Sequence, residues 1–206
     1  VFIVNSSLYD EKLSSAAICY LFAREIGIND RELANLAVIG MIGDLHEKNI
    51  GKVFGEILKE AGAVVKKGFL IYPSTRSLDK SLEYSFNPYI PGVSGSREGV
   101  LNLLRDAGIK NENGRYKALY ELNDDEMRRL ITAVLLKKNS DFEEEIVGNL
   151  FLIKFFNKLE DGRELSALVN SCSRMDKPEV ALGFCLGNKE CREEAEKIYI
   201  KYKQSL

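Results

Sequence analysis

An α/β fold that is predominantly helical is predicted by three features of this sequence. Apolar residues recur at helical spacing over most of the chain. These periodic stretches open on Asp, Asn or Ser and close on Gly. Only short β-branched or aromatic runs interrupt them, as buried strands would.

The first such run, Val1-Phe2-Ile3-Val4-Asn5, reads as a buried strand already under way, with no initiating Met and no preceding turn. A buried strand needs hydrogen-bonded neighbours, and few candidates follow, so the chain is expected to be an internal fragment of a longer polypeptide. Asp10 is placed to cap a helix carrying Leu13, Ala16, Ala17, Tyr20 and Leu21, which Gly27 ends. Asn29-Asp30 starts a second helix through Ile42, apolar on most faces and therefore buried. A third helix covers Lys52 to Glu60 and stops at Gly62. Phe69 to Pro73 is a short extended piece, and the chain turns helical from Ser77, with turn signals at Asn87-Pro88 and Pro91-Gly92.

Ser94 or Ser96 begins a helix to Ala107, closed by Gly108. Asn123 caps the next helix to about Lys138, with Asp124, Asp125 and Glu126 in the first turn where acids suit the helix dipole. Asn149 to Phe156 reads as a strand. Asp161 caps a helix bearing Leu165, Leu168, Val169 and Cys172, and Pro178 sits in the first turn of another. A charged connector helix runs from Asn188 to the end of the chain. The expected organisation is residues 1–72 as the end of an α/β domain, 73–140 as a helical insertion, and 141–206 as a strand plus helices.

Composition narrows the classes. The 206 residues are 45% hydrophobic and 29% charged, which are globular values without a disorder signature. A formal net charge of -2 excludes an overall basic footprint, although 29 Lys and Arg leave room for a local basic face. Cys19, Cys172, Cys185 and Cys191 lack zinc-ligand spacing and read as reduced thiols of an intracellular protein. No run approaches the ~20 apolar residues of a membrane span. The sequence is therefore read as cytoplasmic, with no membrane partner.

Three places could carry chemistry. Asp44 follows the small-residue helix end Ile39-Gly40-Met41-Ile42-Gly43. Its glycines permit close backbone approach, and a carboxylate there can reach a cleft without being buried unpaired. As a metal ligand it would need several other oxygen or histidine ligands, and His46 is the only histidine. The second place is Asn170-Ser171-Cys172-Ser173-Arg174, where small central residues allow close approach and Arg174 offers a bidentate fork for phosphate. The alternative is that Arg174 pairs with Asp176 or Glu179. The third is Ile90 to Gly95, leading into a helix. It is similar to a helix-hairpin-helix, with Gly92 and Gly95 shaping a turn that aims backbone N–H groups at a phosphate and Arg97 assisting. A tight turn plus an N-cap is the alternative there.

Taken together, these pieces resemble the archaeal RecJ-like members of the DHH phosphoesterase superfamily, which include GINS-associated nucleases. The resemblance rests on Leu13-Ser14-Ser15-Ala16-Ala17, on Ile39 to Asp44, and on Tyr84 to Leu104 with Asn87-Pro88-Tyr89-Ile90-Pro91-Gly92. It also rests on Asn170 to Arg174 with Gly183-Phe184-Cys185-Leu186-Gly187. They fall in family order across nearly the whole chain.

The resemblance implies the C-terminal part of a DHH-type α/β domain followed by a helical insertion. It implies a single-strand-specific exonuclease, hydrolysing phosphodiester bonds with two Mn²⁺ or Mg²⁺ ions, with Asp44 as a metal ligand and Asn170 and Arg174 at the substrate. Gly92, Gly95 and Arg97 would bind the nucleic acid. Single-stranded DNA or RNA and GINS-type replication proteins are the implied partners.

Two departures matter. The family motif carries Ala and Gly between Asn and Arg, where this chain has Ser171, Cys172 and Ser173. The Asp-His-His signature would precede Val1, and the DHH-associated domain would follow Leu206. One carboxylate cannot hold a pair of ions, so the isolated chain is expected to be inactive. A non-catalytic replication-fork scaffold of the same superfamily is the alternative, and a small-nucleotide phosphatase is a weaker third.

Overall fold

The computed structural model describes residues 13–48, 50–138 and 146–205. Among these residues the helices are α1 (Ser15–Glu25), α2 (Arg31–Gly43), α3 (Lys52–Glu60), α4 (Leu78–Glu83), α5 (Arg97–Asp106), α6 (Asp124–Lys138), α7 (Gly162–Arg174), α8 (Pro178–Cys185) and α9 (Lys189–Gln204). The strands are β1 (Val64–Phe69), β2 (Val147–Phe155) and β3 (Lys158–Asp161), in the order β1-β2-β3. The fold is thus a mostly helical α/β fold. The expected Val1 strand and Asp10 cap lie outside the described residues.

Two compact units divide the chain, Val1–Val64 with Leu152–Leu206, and Val65–Phe151. The first and last of the three segments expected from sequence fall largely in one unit, because the chain leaves it and returns.

In the first unit, α1 starts at Ser15, and the cap is Ser14, whose hydroxyl accepts from the Ala17 N–H at 3.2 Å. Asp30 caps α2 by accepting from the N–H groups of Glu32 and Leu33 at 2.7 and 3.2 Å. α2 buries Ala34, Ala37, Val38, Ile39, Met41 and Ile42, which explains why its sequence is apolar nearly all round. Gly40 lets α1 approach, since a Cβ there would lie 2.5 Å from the Cβ of Ala16.

β2 and β3 form a hairpin in the register Phe155↔Lys158, leaving Phe156-Asn157 as a two-residue turn with φ of 42° and 67°. That left-handed pair suits the twist of the strands, and Asn tolerates it well. Glu32 accepts from the Phe156 N–H at 3.3 Å, while Asn35 donates to the Lys154 carbonyl at 3.1 Å, so α2 fastens the hairpin from one side.

The second unit packs α4, α5 and α6 around Phe69, Leu78, Leu82, Ile90, Leu103 and Leu130, all buried. α6 opens on a reciprocal cap: Asn123 accepts from the Glu126 N–H at 2.8 Å, and Glu126 accepts from the Asn123 N–H at 2.9 Å. β1 begins at Val64, earlier than the extended piece read from the sequence. Its first positions are solvent-facing and Lys66-Lys67-Gly68 breaks the apolar run, which hides the strand from pattern reading.

Candidate functional site

Asp44 is the C-cap of α2, exposed, with its N–H donated to the Gly40 carbonyl at 3.0 Å. The next residue, Leu45, holds φ at 60°, an uncommon value for a branched-chain residue, and is two-thirds exposed. A short 3-10 turn, His46–Lys48, follows. What fixes this turn is a contact that sequence reasoning missed. The Arg163 guanidinium donates twice to the Glu47 carboxylate, at 2.8 and 2.9 Å, with both side chains largely hidden from solvent. No local pattern joins residues so far apart, so no sequence signal could have found the pair.

The start of α7 is where that fork attaches, and Asp161 caps it by accepting from the Arg163 N–H at 2.9 Å. Gly43 closes the approach of α2, since a Cβ there would stand 2.9 Å from the Ser166 hydroxyl. Ser166, Asn170 and Arg174 then recur at four-residue intervals, so they form one stripe along α7. Asn170 and Arg174 stand about 6 and 12 Å beyond Ser166 by helical rise. Both are exposed. Among the described residues Arg174 makes no ion pair, and Glu179 pairs with Lys177 at 3.9 Å instead. Asp44 thus follows the α2 residue that meets the stripe at Ser166, and Arg174 lies at the stripe's far end.

The small residues between Asn170 and Arg174 serve packing. Ser171 and Cys172 are fully buried, and Cys172 joins Ala181, Ala195 and Ile198 where α7, α8 and α9 meet. The Ser171 hydroxyl is spent on the Leu168 carbonyl at 2.8 Å. Burial pushes the Cys172 thiol up from its ordinary value, as it does for Cys185. Neither is a poised nucleophile.

A divalent cation of the Mn²⁺ or Mg²⁺ type needs about six oxygen ligands. Among the described residues no group of three His, Cys, Asp or Glu could hold one. Asp44 offers one oxygen donor and His46 is a half-buried neighbour, so the described residues do not fit a complete metal centre.

In the second unit, Gly92 and Gly95 take φ of 70° and 79°, the left-handed values their turn requires. The amides of Val93 and Ser94 donate to the Ile90 carbonyl, that of Gly95 to Glu83, and that of Ser96 to Val93. The local geometry is therefore a tight turn followed by an N-cap, in which Ser96 accepts from the Gly99 N–H at 3.1 Å. These amides are committed within the fold. Arg97 is engaged too, with Asp79 at 2.5 Å and Glu83 at 3.6 Å. Burial alone would raise the Asp79 carboxyl, but hydrogen bonds from Ser77 and Arg97 and the Arg97 charge outweigh it and hold the group below its usual value. Two open grooves of this unit run along α6, one beside Asp106, Arg129 and Lys137, the other beside Lys67, Gly68 and Ile131.

No helix among the described residues is long and apolar enough to cross a membrane. No curated protein matches the chain. Residues 71–145 match the family described as the DHH-CID domain. That match falls on the helical stretch between β1 and β2, and it supports membership of the DHH superfamily for this chain.

Proposed function

We propose that this chain is part of a metal-dependent phosphoesterase, a single-strand-specific exonuclease that hydrolyses phosphodiester bonds. The DHH-CID match supports the superfamily, whose members are phosphoesterases. The observation that carries the finer reading is the α7 stripe, whose Ser166 end meets Gly43 beside Asp44 and whose far end holds an Arg174 that no carboxylate among the described residues neutralises. An exposed arginine of this kind suits a phosphate, because its planar fork matches two phosphate oxygens. Asn170, one turn away, can donate to the same backbone.

In this reading Asp44 contributes one carboxylate to a Mn²⁺ or Mg²⁺ centre whose other ligands lie outside the described residues. The chain's own groups bind and orient. Arg174 holds a phosphate away from the cation end, and Asn170 fixes the strand between them. In the second unit, Gly92, Gly95 and Arg97 would bind nucleic acid through the surface of their turn, since its amides are already committed. GINS-type replication proteins are the proposed protein partners, and the free cysteines suit a reducing cytoplasm.

The test is hydrolysis of a labelled single-stranded oligonucleotide by the full-length protein with Mn²⁺. Asp44→Ala should abolish turnover without changing the melting temperature, and unchanged turnover removes Asp44 from the metal centre. If the wild-type full-length protein is inert but binds nucleic acid, the scaffold reading replaces the nuclease.

A further inference from the structure

The loop between α4 and α5 alternates inward and outward in an unusual way. Ser85, Pro88 and Ile90 are buried, whereas Tyr84, Phe86 and Tyr89 are 64%, 71% and 61% exposed. The inward residues hold the loop firmly. The Ser85 hydroxyl donates to the Pro88 carbonyl at 2.8 Å, and the Ile90 N–H donates to the Ser94 hydroxyl at 2.9 Å. Three large rings therefore face water from a fixed backbone, a cost that marks an interaction surface.

The charge around the rings is sorted by exposure. Lys80 and Arg97 keep 52% and 48% of their side chains in solvent, while Asp79 and Glu83, their partners, keep 9% and 17%. What solvent meets beside the rings from these two ion pairs is cationic, with Glu98 as the exposed acid nearby. Lys80 also stands 5.9 Å from the centre of the Tyr84 ring. Neither α6 groove is lined by these rings.

We propose that Tyr84, Phe86 and Tyr89 form a base-stacking platform for single-stranded nucleic acid, with Lys80 and Arg97 facing its phosphates. Exposed rings next to outward cations fit unpaired bases on a charged backbone, because every base has a π-face and stacking tolerates any sequence. An apolar peptide would favour a continuous groove with its acids outward to match basic residues. The proposal rests on the phosphoesterase reading only for why this chain meets a nucleic acid.

The experiment is fluorescence anisotropy of short labelled oligothymidylate and oligouridylate titrated with this chain. Replacing Tyr84, Phe86 and Tyr89 together by Leu keeps apolar area but removes the ring faces. It should weaken binding of both probes on the order of tenfold or more. The slope of affinity against salt should stay unchanged, whereas Lys80→Ala should reduce that slope by up to about 0.7. The rings are mostly solvated, so the variant should melt with wild type. If it does not, the single variant Phe86→Leu carries the same test with a smaller loss. Wild-type chain that binds neither probe, or a Leu variant that binds both unchanged, overturns the platform and leaves the rings to a protein partner. Anisotropy without added Mn²⁺ reads the platform, whereas turnover with Mn²⁺ reads the metal centre, so failure of the metal reading and failure of the platform show up separately.

Discussion

Arg163 and Glu47 hold the turn that follows Asp44. Removing one partner leaves a largely buried charge alone, which costs roughly 3 kcal/mol. Glu47→Gln should therefore destabilise the first unit by about that amount in denaturant unfolding. Exchange at the amides of residues 44–48 should accelerate more than elsewhere, and uniform acceleration would show that the fork does not specifically hold the turn.

Tyr20 gives a pH signature. Its hydroxyl donates to Glu60 at 2.6 Å, and burial first, then that carboxylate, pushes its pKa up to about 12. The unfolded chain releases this proton near pH 10, earlier than the folded one. The contribution is thus intact below pH 10 and is lost between about 10 and 12, by at most about 1.4 kcal/mol per pH unit. Tyr20→Phe should flatten stability across that window, and an unchanged slope would mean other groups dominate it.

Among the elements, those with a local signal were the ones legible beforehand. Asn123 with Glu126, Asp30 and Asp161 each mark a helix start through a bond made within one turn, and Pro178 marks one through its fixed φ in the first turn, so the sequence alone locates them. Asn123→Ala removes the α6 cap and should cost about 1 kcal/mol. A loss near zero in thermal unfolding would show that the neighbouring acids suffice. β3 was not legible, because Lys158 to Asp161 carries no apolar alternation and its turn residues are Phe156-Asn157 without glycine.

The candidate site divides in the same way. Gly40 and Gly43 announce close approach through their size, and Asn170 and Arg174 share a face through their spacing. The role of Ser171 and Cys172 could not be read, since smallness suits a phosphate and a helix interface equally. Only the meeting of α7, α8 and α9 decides for the interface. Gly40→Val should disrupt α1 against α2 and lower the melting temperature, because its Cβ alone would lie 2.5 Å from that of Ala16.

At the size of the full chain, the two units have separate cores. Leu82 is fully buried in the second, so Leu82→Ala should cost about 2–5 kcal/mol there. Amide protection should fall within residues 65–138 while α2 and α7 keep theirs, and equal losses in both units would mean that they unfold as one. The most direct test asks whether Asp44 is one carboxylate of a cation centre, as proposed, near the Ser166 end of α7. Titrating Mn²⁺ into the isotope-labelled full-length protein reports this through paramagnetic broadening of backbone amides. If Asp44 is such a ligand, residues 43–46 and 163–167 broaden first and residues 170–174 less. Broadening that spares residue 44 and its neighbours, while Mn²⁺ binds elsewhere, would contradict it.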